Sequence, residues 1–89
     1  MIKNPSKAKL TRRLKIIEGQ VRGLQQMIEQ GKYCIDVITQ SSAVKQALSS
    51  VEDTLMENHL STCVVNQMRQ GKESKAQAEI LKVYRLKRK

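Results

Sequence analysis

Apolar positions set the first element: Leu10, Leu14, Ile17, Val21, Leu24 and Ile28 recur at spacings of 4, 3, 4, 3 and 4. That rhythm is the stripe by which an amphipathic helix packs against other helices. Asn4-Pro5-Ser6 supplies a start and Gly31 a stop, so a first helix is predicted over 6–30. Gly19 and Gly23 lie inside it and weaken it by about 1 kcal/mol each relative to Ala, a loss that makes sense where another backbone approaches closely. From Tyr33 to Gln70 the chain has neither Gly nor Pro, and Val37, Val44, Leu48, Val51 and Leu55 extend a seven-residue pattern with Ala43 and Ala47 near its middle. One long helix is predicted over 33–65. Gly71 breaks the chain, and a shorter segment from Glu73 to Leu86 carries Ala76, Ile80, Val83 and Leu86 on one side. Alternation never lasts and no hairpin signal appears, so the expected fold is all-α, with two long antiparallel helices and a short third.

Length narrows this further, because 89 residues make one domain, 1–89, with a thin core. There is no Trp and no Phe to thicken it, and association between copies would supply the missing burial. The net charge is +9 and unevenly spread. Residues 1–23 set Lys3, Lys7, Lys9, Arg12, Arg13, Lys15 and Arg22 against Glu18; residues 72–89 carry seven basic side chains against Glu73 and Glu79. The centre is acidic, with Lys32, Lys45 and Arg69 facing Glu29, Asp36, Glu52, Asp53 and Glu57. Basic arms on a near-neutral centre fit a polyanion-binding surface built on an assembly core, with nucleic acid ahead of a membrane surface. The start lacks an apolar leader and no run is long enough to span a bilayer, so the chain is expected in the cytoplasm, with its two cysteines reduced.

The candidate chemistry lies in three residues. His59 stands four positions before Cys63, about one helical turn. Cys34 lies 25 positions before His59, about 37 Å along a single helix. Metal bonds of about 2.0–2.3 Å cannot span that distance. A second copy of the helix packed antiparallel removes the conflict: placing Cys34 midway between the partner's ligand positions makes facing residue numbers add to about 95 and puts the two-fold axis near Ala47 and Leu48. Small residues then lie where the helices cross. Two sulfurs and one imidazole without a carboxylate suit a soft ion; three-coordination favours Cu(I), and Zn with a water is the alternative. The plainer reading is a small buried cysteine and a histidine capping carbonyls.

With these positions in place, RRLKIIEGQVRGLQQMIEQGKYCIDVITQSSAVKQAL and ENHLSTCV resemble the first and second helices of the CsoR family, the copper-sensing branch of a group of bacterial metal-responsive repressors. The resemblance covers nearly the whole chain. It implies a three-helix protomer, an antiparallel homodimer assembling into a homotetramer, and a metal-free form that binds double-stranded operator DNA until Cu(I) at an intersubunit Cys34, His59 and Cys63 site releases it. It places Tyr33 and Glu79 around the ligands, with Glu79 accepting the free imidazole N–H of His59. Nickel and cobalt sensors of the group recruit further histidines, formaldehyde sensors lack the second cysteine, and persulfide sensors lack the histidine. This chain keeps all three ligands and has one histidine. Some nickel sensors retain a similar set, so a sensor of Ni or Zn is the alternative on the same scaffold.

Arg13 matches a basic family position implicated in operator binding, and Lys9, Arg12 and Lys15 surround it. The family often has a basic residue where this chain has Ser50, so the footprint is expected to shift toward Lys45 or the terminal YRLKRK segment. Few aromatics leave no stacking platform for single strands, which favours duplex DNA. A cytosolic copper buffer is the rival from another class, disfavoured because C-x-x-C is absent; a structural helical adaptor with incidental cysteines is another. No catalytic constellation is present, so no enzyme is expected.

Overall fold

The protein is described by a computed structural model covering residues 4–88. Among the described residues every regular element is a helix: α1 Asn4–Glu29, α2 Cys34–Ser61, α3 Cys63–Arg69 and α4 Glu73–Arg88. The all-α expectation holds. No described helix is long and apolar enough to cross a membrane.

The same tripeptide, Gln-Gly-Lys, ends α1 and α3. Gly31 and Gly71 take φ of 68° and 74°, a left-handed conformation that glycine adopts without a Cβ clash. At the first corner Gly31 N donates to the Ile28 carbonyl at 3.1 Å and Lys32 N to Met27 at 2.9 Å; at the second Gly71 N donates to Met68 at 3.1 Å and Lys72 N to Gln67 at 2.7 Å. These paired bonds satisfy carbonyls that a helix end otherwise leaves open. Asp36 and Glu73 then occupy the first turns of α2 and α4, where the helix dipole favours negative charge.

The long second helix departs from expectation. Instead of running unbroken over 33–65, it stops at Ser61, breaks at Thr62 (φ −123°, ψ −69°) and resumes as α3. Two adjacent hydroxyls turn back onto the preceding turn at the break. Ser61 Oγ donates to the Glu57 carbonyl at 3.0 Å and Thr62 Oγ1 to the Asn58 carbonyl at 2.6 Å. Such bonds to the preceding turn bend helices; the Thr62 N–H still donates to the Asn58 carbonyl at 3.0 Å and the Thr62 carbonyl still accepts from Asn66 N at 3.0 Å.

Two compact units divide the chain, one reaching Leu55 and one starting at Met56. In the first, Leu10 and Ile17 of α1 bury against Val44 and Val51 of α2, each 5% exposed, with Leu24 and Ala47 packed beside them. Half of the α1 stripe stays outside: Leu14, Val21 and Ile28 are exposed, as are Ile16, Ile35 and Ile38. Among the described residues the close backbone approach expected at the α1 glycines is not made: a Cβ on Gly23 would meet nothing within 4 Å, and one on Gly19 the end of Arg22 at 3.6 Å. In the second unit α4 packs on α3, and Ala76, 3% exposed, is its buried point.

Candidate metal centre and nucleic-acid face

Cys34 is the first residue of α2 and is exposed. Tyr33 precedes it; its carbonyl accepts the Asp36 and Val37 N–H groups at 3.0 and 3.2 Å, and its ring is open to solvent. His59 lies half-buried in the last turn of α2, and Cys63 opens α3, also half-buried. The break at Thr62 therefore falls between them, and the Thr62 hydroxyl stands 3.8 Å from Cys63 Sγ. Both cysteines are free thiols. Among the described residues of one chain, no three His, Cys, Asp or Glu side chains gather into a group that holds a metal. The donor types still fit a soft ion: two sulfurs and one imidazole, with no hard carboxylate required.

Glu79 sits half-buried on α4. Its Oε1 accepts a hydrogen bond from Gln67 Nε2 at 2.8 Å, which ties α4 to α3. Sequence reasoning passed over Gln67. The only signal was its place four residues after Cys63, on the same side of a helix. The other end of its amide, Oε1, is buried with no hydrogen-bond partner among the described residues.

Lys9, Arg12 and Lys15 are exposed on α1 while Leu10 and Ile17 of the same helix are buried, so the basic arc looks away from the core. Lys7, Ala8, Thr11, Arg12 and Lys15 line an open depression along it. Arg13 differs: it lies at the edge of the apolar stripe, half-buried, and donates to Thr54 Oγ1 of α2 at 3.5 Å. Lys45 is exposed on α2. At the other arm α4 ends in Arg85, Lys87 and Arg88, cations that suit the negative end of the helix dipole, and the Arg88 guanidinium lies 5.7 Å from the Tyr84 ring centre. Lys89, the last residue of that basic run, lies outside the described residues.

Residues 6–86 match the model of a family described as metal-sensitive transcriptional repressor. The copper-sensing transcriptional repressor CsoR of Bacillus subtilis is 43% identical over 79 residues, covering 89% of this chain and 78% of that protein. The copper-sensing transcriptional repressor RicR of Mycobacterium tuberculosis is 55% identical over 60 residues, covering 67% of this chain and 62% of its own length. Several further curated relatives are likewise spanned over less than two thirds of their length, 58% for the CsoR of M. tuberculosis H37Rv. The crystal structure of the copper-sensing repressor CsoR with Cu(I) from Geobacillus thermodenitrificans superimposes with a TM-score of 0.90 at 37% identity, covering 100% of this chain and 93% of that one.

Proposed function

Since the chain belongs to the metal-sensitive transcriptional repressor family, we propose that it is a Cu(I)-responsive repressor, working in the cytoplasm, whose metal-free form holds operator DNA and whose Cu(I)-bound form lets go. The donor set carries this reading: Cys34, His59 and Cys63 together, in a chain whose relatives are named for copper sensing.

Cys34 and His59 belong to one helix, α2. At 1.5 Å per residue their separation along it is about 37 Å, so one α2 cannot offer both to the same ion. The site is therefore assigned to two chains, Cys34 from one protomer and His59 with Cys63 from its partner, in an antiparallel dimer that pairs into a tetramer. When bound, Cu(I) would supply a soft cation that offsets one of the two thiolate charges, held by residues of both chains. Both sulfurs must lose their protons to ligate, so affinity rises with pH. Tyr33 and Glu79 stand around the ligands. A carboxylate accepts more than one hydrogen bond, so Glu79 can take the His59 ring N–H as well as the Gln67 amide.

Lys9, Arg12, Arg13, Lys15 and Lys45 form the operator-facing set, contacting phosphates on duplex DNA, and the whole chain acts as one domain. Because binding couplings are reciprocal, a Cu(I)-induced loss of DNA affinity of about 1–3 kcal/mol appears as an equal loss of Cu(I) affinity on DNA. A mobility-shift titration with the DNA upstream of the protein's own coding sequence tests this. The metal-free protein should shift the duplex, and stoichiometric Cu(I) should release it while Ni(II) and Zn(II) do not. Release by Ni(II) or Zn(II) alone moves the metal assignment; no shift at all ends the repressor reading.

A further inference from the structure

The Gln67–Glu79 bond has a position that the ligand chemistry does not account for. Cys63 opens α3, and Gln67 follows it by four residues on the same face, one turn along. From there the Gln67 amide reaches Glu79 at 2.8 Å across the Gly71 corner, and both side chains are partly buried. Gln67 Nε2 donates to the carboxylate, while Oε1 is buried with no partner among the described residues. Beyond Glu79, α4 continues into Lys82, Arg85, Lys87 and Arg88. At the other end α3 is separated from α2 by the irregular Thr62, so α3 has a joint on its ligand side. A short helix set off from α2 at one end, and bonded through one amide to a basic helix at the other, is placed to pass a change at Cys63 on to α4.

We propose that Gln67 is the positioning residue that couples the metal site to α4: its amide makes α4 follow α3, so that whatever ligation does to Cys63 reaches the basic end of the chain. This rests on Cys63 being a ligand, and Gln67 itself touches no metal. Without the bond, α3 would respond to the ion while α4 stayed where the remaining apolar contacts, chiefly Ala76, leave it.

Three variants of the full-length protein decide the matter: Gln67→Leu, which keeps approximate size but removes the donor; Gln67→Glu, which sets a second carboxylate against Glu79; and Gln67→Lys, which keeps an N–H donor for the Glu79 carboxylate and leaves Glu79 itself untouched. The readouts are Cu(I) affinity, the ratio of operator affinities without and with Cu(I), and amide hydrogen exchange across α4 in the metal-free protein. Gln67→Leu should keep Cu(I) affinity within about threefold yet lose about fivefold or more of that ratio. Exchange in α4 should accelerate. Gln67→Glu should lose at least as much, and Gln67→Lys should keep most of the ratio and of the protection. An unchanged ratio in Gln67→Leu, or a Gln67→Lys protein no better than Gln67→Glu, overturns the proposal. Cys63→Ser run alongside separates the premise: wild-type Cu(I) affinity there removes Cys63 as a ligand, whatever Gln67 does.

Discussion

Arg13 differs from the basic side chains around it. Lys9, Arg12 and Lys15 are exposed, whereas Arg13 is half-buried and reaches Thr54 across the α1–α2 contact. A guanidinium held at its stem and by one N–H keeps other donors of its planar fork for a phosphate, and loses less side-chain freedom when it meets one. Arg13→Ala should therefore weaken operator binding more than Lys9→Ala does, and should lower the log–log salt slope by about 0.9 for each Arg13 of the bound assembly that meets a phosphate. Binding measured by fluorescence anisotropy over a salt series gives both numbers. An Arg13→Ala slope equal to wild type removes it from the phosphate contacts. The residue-level reading from sequence singled out Arg13 through its resemblance to a family position. It did not find Thr54 or Gln67, because both act across pairs of helices whose relative rotation no spacing rule supplies.

At the level of elements, the two corners were legible and the break was not. Glycine before Lys32 and before Lys72 marks a helix end because the left-handed backbone there, φ 68° and 74°, excludes side chains with a Cβ at low cost. Thr62 carries no such mark. Serine and threonine occur inside unbroken helices, and only the structure shows two successive hydroxyls turned back onto the Glu57 and Asn58 carbonyls. The glycines of α1 and its end consequently predict opposite signs. Gly31→Ala should destabilise the protein by about 1–2 kcal/mol, the cost of a left-handed alanine. Gly23→Ala should stabilise it by about 0.5–1 kcal/mol, because the helix gains propensity and the new methyl meets nothing within 4 Å among the described residues outside its own helix backbone. Urea unfolding of both variants measures the difference. A destabilising Gly23→Ala would instead place another copy's backbone against that face.

For the whole molecule, composition announced the thin core before the structure counted it. Leu10, Ile17, Val44 and Val51 form one small cluster and Ala76 stands apart, while Leu14, Val21, Ile28, Ile35 and Ile38 face solvent. The metal reading and the packing reading thus ask for the same thing, a second chain. Mixing experiments separate a shared site from one made within a chain. Cys34→Ala protein and the double variant His59→Ala with Cys63→Ala should each fail to bind Cu(I) tightly. Refolded together they should recover about a quarter of wild-type tight binding: half of randomly formed dimers are mixed, and each mixed dimer holds one intact site of two. Recovery of none places the three ligands within one protomer.

The uncovered half of the α1 stripe also bears on how the protein behaves when scarce. If partnering completes folding, the thermal midpoint climbs with protein concentration, and dilution yields unfolded chains rather than free folded monomers. Active regulator then accumulates more steeply than in proportion to synthesis, since each working molecule requires an encounter between two incomplete ones. A cell would hold its copper-response genes shut only above a threshold dose of this polypeptide.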